Sequence, residues 1–84
     1  MKIRYNPEKD ELLQRTRNIS FEDVIDAIDN HEVRYTQNPK AWRENQGLII
    51  FKYHDYPYVC PYVVEEWWIF LKTIYPDRDY KDFI

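Results

Sequence analysis

Apolar and polar positions alternate one by one at the start of the chain, so Lys2-Ile3-Arg4-Tyr5 reads as a short strand. Asn6-Pro7 then supplies a helix N-cap and a proline at the first helical position, with Glu8 and Asp10 where the helix dipole favours anions. Leu12 and Leu13 are the apolar anchors of this helix, Arg15 and Arg17 stand near its end, and Asn18-Ile19 breaks it. Ser20-Phe21-Glu22-Asp23 opens a second helix, with Ser20 as cap and Asp23 in the place of the capping-box glutamate. Phe21, Val24, Ile25 and Ile28 recur at i, i+3, i+4 and i+7, which predicts a strongly amphipathic helix. Its opposite side carries Glu22, Asp23, Asp26 and Asp29, a stripe that reads as a solvated face.

The period then changes to two. Residues 32–36 predict a strand, residues 37–46 a polar loop, and residues 48–53 a clear strand ended by a turn at His54-Asp55-Tyr56-Pro57. Residues 58–64 return as its hairpin partner, where Pro61 lacks a ladder donor and points to an edge position or a bulge. After a turn at Glu65-Glu66, residues 67–76 predict a long strand covered on both sides. Alternation places Trp67, Ile69, Leu71, Thr73 and Tyr75 on one face and Trp68, Phe70, Lys72 and Ile74 on the other. Residues 77–84 form a charged tail containing Tyr80 and Phe83, predicted to fold back as one helical turn. The order predicts a single α+β domain over residues 1–84, with two N-terminal helices packed on a mainly antiparallel sheet of four to five strands.

Composition narrows the chemistry. The aromatic share of 18% is high for 84 residues, and large rings bury much area per residue in a thin two-layer fold. With one Gly, turns that need positive φ fall to Asn and Asp, at Asn6, Asn18, Asn30, Asn38, Asn45 and Asp55. A net charge of −3 argues against indiscriminate phosphate binding, while leaving room for a local basic patch. A single Cys60, expected as a small buried hydrophobe, excludes an internal disulfide, and no zinc-type Cys/His spacing exists. No metal and no cofactor is expected. The start is no signal peptide and no apolar run spans a bilayer, so the expectation is a cytoplasmic protein with no membrane partner.

The opening "KIRYNPEKDELL", the second-helix "ISFEDVIDAID", the hairpin around "YVCPYV" and the ending "IFLKTIYPDR" resemble the BrnT-like branch of the RelE/ParE toxin superfamily. The similarity covers nearly the whole chain, and "ISFEDV" and the terminal strand–Pro–Arg are its more specific parts. It implies a RelE-like fold and the toxin component of a bacterial type II toxin–antitoxin system. The implied activity is metal-independent endoribonuclease action on mRNA, held inactive by a cognate antitoxin protein. This chain departs from the pattern in its net acidity and in Asp77, which stands where relatives carry a small polar residue.

With the resemblance as frame, metal-free RNA cleavage needs a base for the 2′-hydroxyl, cations for the phosphate oxygens and a proton for the leaving oxygen. Lys72, Arg78 and Tyr75 are the catalytic candidates; Lys72 and Arg78 share strand parity, and Tyr75 has the opposite parity. Lys2, Arg4, Lys81, Trp42 and Arg43 are candidates for RNA contact, Trp42 by stacking on a base. Plainer roles stand beside these. Lys72 can snorkel from a half-exposed strand, Arg78 can pair with Asp77, Asp79 or Asp82, and Tyr75 can belong to the core. His31 and His54 are residues of the type used for acid–base work, but each sits at a turn, where a solvated histidine is commoner. The alternative function is a catalytically inactive protein-binding module of the same fold, working by partner binding or self-association as a homodimer. The surplus of aromatics, Trp42, Trp67 and Trp68 among them, favours that alternative.

Overall fold

The computed structural model describes residues 2–40 and 45–84. Strand β1 (Lys2–Tyr5) leads into helices α1 (Pro7–Arg17) and α2 (Phe21–Asp29). Strands β2 (Val33–Gln37), β3 (Gln46–Tyr53), β4 (Tyr56–Glu65) and β5 (Trp68–Leu71) then form an antiparallel meander. A short β6 (Tyr75–Pro76) and a 3-10 turn over Arg78–Phe83 complete the described chain. The sheet order is β1-β5-β4-β3-β2, with β6 on β4, and β1 joins β5 in parallel. This is an α+β fold with two N-terminal helices on a mostly antiparallel sheet.

Capping sets the helix boundaries as their sequence predicts. The Asn6 side chain accepts from the Glu8 and Lys9 N–H groups at 2.8 and 3.4 Å. Asn18 closes α1 in the left-handed region at φ 54°. The Ser20 N–H donates to the Asp23 carboxylate at 2.9 Å, the backward half of a capping box. One capping contact crosses between helices: the Phe21 N–H donates to the Asp10 carboxylate at 2.7 Å, so α1 also satisfies the start of α2.

Leu13, Phe21 and Val24 from the helices, with Ile19 from the link between them, pack onto Ile49, Phe51, Cys60, Leu71 and Ile74. The opposite, far side of the sheet buries Leu48, Ile50 and Val59 beneath Tyr75, Tyr80 and Ile84. Core coverage on both sides explains why the run from Gly47 to Phe51 is buried at every position. Leu12, an expected anchor of α1, is instead 41% exposed, because Leu13 alone lies on the inward line of this weakly amphipathic helix.

The predicted long strand over residues 67–76 is interrupted, giving β5 and β6 on one flank of β4. Leu71 faces Tyr62 and Tyr75 faces Val59, so four steps on one strand answer three on the other. That mismatch is a β-bulge, with Thr73 and Ile74 together opposite Cys60. Parity inverts across it. Ile74 joins Leu71 in the helix-side core, while Tyr75 turns to the far side, opposite to the alternation expected from sequence. Pro61 sits at this bulge within a strand paired on both flanks: its carbonyl accepts from the Lys72 N–H at 2.8 Å, and its missing donor points at the broken ladder.

Turns use fewer Asn and Asp residues than expected. Positive φ occurs at Asn18 and Asp55, but also at His31, His54 and Glu66 among the described residues. His54-Asp55 forms the two-residue link between Tyr53 and Tyr56, with both φ values positive as a type I′ turn requires.

Gly47 has no positive φ; its role is close approach. It faces Tyr62 across the ladder, and a Cβ placed there would meet the Tyr62 hydroxyl oxygen at 2.5 Å. Gly47→Ala is expected to displace that ring and lower stability by about 1–2 kcal/mol, read as a drop in the urea midpoint. In a Tyr62→Leu background the same substitution should cost little; an equal loss in both backgrounds would refute the ring clash.

Candidate nucleic-acid interface

Parallel pairing of β1 with β5 sets Lys2 beside Trp68 and Arg4 beside Phe70. Ile3, Tyr5, Ile69 and Leu71 point into the helix-side core, so Lys2, Arg4, Trp68 and Phe70 share the far side. The Arg4 guanidinium lies 5.0 Å from the Trp68 ring centre, and the Lys72 ammonium 5.4 Å from that of Phe70. Trp68 and Phe70 meet edge to face at 6.1 Å. At the β4–β5 turn Trp67 is 79% exposed and borders a hollow of about 570 Å³ with Lys2, Arg4 and Trp68. Here the expected two-sided cover of the strand is missing. Trp68 and Phe70 are half-buried, with cations rather than a second layer lying over them.

The proposed catalytic candidates are spread apart. Lys72 bonds through its N–H to Pro61, and Asp77 bonds through its N–H to Pro57, four residues along β4. At the rise of a strand this separates the two backbone positions by about 13 Å. The Lys72 side chain also leans over Phe70, towards β5 and away from the tail. Arg78 and Lys81 share a separate hollow of about 580 Å³ at the β3–β4 turn with Asp55, Tyr56, Pro57 and Asp79. Tyr75 lines a third recess, with Lys40, Asp77 and Tyr80. Lys72, Lys2 and Arg4 thus come together on one strip, and Arg78 and Lys81 on another. Trp42 and Arg43 lie outside the described residues.

Tyr75 has its pKa raised above 10.0 by burial first, then by Asp77 and its other neighbours, so it stays neutral near pH 7 and can donate a hydrogen bond but not accept a proton as phenolate. His31 and His54 are exposed turn residues at φ 58° and 52°, and each has a conformational duty there. Cys60 is fully buried and burial pushes its thiol upward, as suits a core residue rather than a nucleophile. Among the described residues no cluster of three or more His, Cys, Asp and Glu side chains is arranged to hold a metal ion. Among the same residues no helix is long and apolar enough to cross a membrane.

Two cations on a four-residue edge strand can also serve to keep that edge from pairing with other chains. Edge protection accounts for Lys2 and Arg4, but not for the rings beneath them or for Lys72 over Phe70. The alternations K-x-R in β1 and W-x-F-x-K over residues 68–72 carry the strip in sequence. Sequence reasoning offers Trp42 for stacking and does not single out Trp68 and Phe70, because only the long-range β1–β5 pairing sets these rings and the cations side by side.

No family model matches the chain, and neither does any curated protein or solved structure.

The Arg17 guanidinium donates to the Ile74 carbonyl, occupying a backbone acceptor that the bulge leaves without a ladder partner. Arg17→Met should therefore destabilise the chain by about 1–2 kcal/mol and speed amide exchange over residues 74–80 more than over α2. Uniform acceleration would deny Arg17 this local role.

Tyr5, Tyr53, Tyr62 and Tyr75 all have pKa values raised above the ordinary 10.0. Between the unfolded and folded values the native state holds more protons, so this contribution to stability is complete below pH 10 and falls as pH rises past it. Urea midpoints should decline above pH 10, and Tyr75→Phe should flatten part of that decline.

Proposed function

We propose that this chain is the RNA-directed toxin of a bacterial toxin–antitoxin pair, and that RNA lies as a single strand on the strip of Lys2, Arg4, Trp68, Phe70 and Lys72. The observation that carries the reading is the interleaving of cations and ring faces on one exposed surface. Single strands are held in this way, phosphates by Lys and Arg and bases by aromatic faces. The sequence resemblance supports the toxin assignment independently of the strip.

Holding RNA is the part of the toxin reading that the geometry favours most. Cleavage at one phosphate would draw on Lys72 or on Arg78, but not on both without a shift of the tail. Lys72 could supply positive charge to a phosphate on the strip, and Tyr75, neutral near pH 7, could supply only a proton.

Fluorescence titration with short single-stranded RNA tests the proposal. Arg4→Gln and Lys72→Gln should each weaken binding several-fold, while Arg78→Gln and Lys81→Gln leave it nearly unchanged. With three cations engaged, log K should fall against log salt with a slope of about −2. Equal losses at Arg78 and Lys81, or a slope near zero, would overturn the strip as the RNA site.

The second reading is a module that grips a partner protein, and Trp67 is the specific observation in its favour: a large ring 79% exposed at a hairpin tip. On that reading Trp67→Ala abolishes binding of the antitoxin, and RNA affinity is absent from the outset.

A further inference from the structure

We propose that the outer edge of β2 pairs with the same edge of a second copy of this chain, giving a two-fold dimer with one continuous sheet centred on Tyr35. β2 is the terminal strand of the sheet opposite β1. Its outward-facing backbone groups follow from the ladder. The Pro61 carbonyl points to the β5 side; Leu48, opposite Pro61, therefore turns its own groups towards β2, where it faces Thr36. Thr36 is thus bonded inward, and Val33, Tyr35 and Gln37 present their N–H and C=O groups outward.

A two-fold axis through Tyr35 satisfies all three at once. Tyr35 pairs with Tyr35 of the second copy, and Val33 with its Gln37, each pair exchanging both N–H···O bonds. Arg34 then stands opposite Thr36 of the second copy, so no like charges face each other directly across the join. The two edges of the sheet differ in how they are guarded. β1 carries Lys2 and Arg4 within four residues, whereas β2 reads Val-Arg-Tyr-Thr-Gln, with one cation, no proline and high β-propensity. Tyr35 itself is 55% exposed on the helix side, resting edge-on against Tyr62 at 6.3 Å. Pairing would lay the two Tyr35 rings side by side. The strips beside β1 stay open at the two far ends, so the inference does not rest on the RNA reading.

A disulfide tests the register. Directly bonded antiparallel residues have Cα atoms about 5.5 Å apart, which suits a disulfide. Tyr35→Cys should give a covalent dimer under mild oxidation, whereas Thr36→Cys, whose own copy lies diagonally across the axis, should not. Buried Cys60 does not compete. In sedimentation the parent chain should move with rising concentration towards twice 10.5 kDa. Tyr35→Pro, which removes only an outward donor, should stay folded by circular dichroism and remain monomeric. A parent chain that is monomeric at high micromolar concentration overturns the proposal, whether or not a foreign strand binds the edge. Equal dimerisation of Tyr35→Pro, or equal cross-linking at 35 and 36, overturns it as well.

Discussion

Pro61 has no N–H to offer, and its carbonyl points towards the flank where β5 gives way to β6. A regular strand there would leave a ladder carbonyl facing an absent donor. The chain inserts one extra residue instead, and Thr73 and Ile74 share the place opposite Cys60. Ile74 fills the helix-side core while Tyr75 crosses to the far side, where it closes over Leu48, Ile50 and Val59 with Tyr80 and Ile84. Arg17, from the end of α1, bonds the Ile74 carbonyl. Two cores on opposite sides of the sheet, and the helix that supports one of them, therefore depend on the same irregularity. It also sends the cation before the bulge and those after it to different places.

Local signals in the sequence are legible wherever the governing interaction lies within a few residues. Asn6-Pro7, Ser20 with Asp23, and the spacing of Phe21, Val24, Ile25 and Ile28 each specify a helix boundary or a buried face by chemistry close at hand. Pro61 is legible as a warning, and the bulge is one of the two meanings it can have. What alternation does not deliver is the location of the inserted residue, since a run such as Leu71-Lys72-Thr73-Ile74-Tyr75 is compatible with either parity. Contacts between distant residues are equally invisible, such as the bond from the Phe21 N–H to Asp10. The left-handed turns at His31, His54 and Glu66 escape a rule that looks to Gly, Asn and Asp.

The candidate site divides along the same line. The sequence singles out Lys2, Arg4 and Lys72, but as parts of a pocket centred on the tail. Parallel pairing of the first strand with β5 makes them the upper layer of an aromatic platform instead. Such a pairing joins residues more than sixty positions apart, and the alternation within each segment does not name its partner. Arg78 and Lys81 follow the tail to the β3–β4 turn, where Asp55 and Asp79 stand close to them.

The acidic residues of α2 gain a meaning from this layout. Glu22, Asp26 and Asp29 are exposed on the helix layer, on the opposite side of the sheet from Lys2, Arg4 and Lys72. A chain of net charge −3 is then polarised across its thickness. If the strip is the RNA site proposed above, a polyanion approaching the helices meets like charge and one approaching the strip meets cations, which would orient encounters before any contact forms. On that proposal the excess negative charge, which looks like an obstacle to a nucleic-acid ligand, would instead choose its direction of approach.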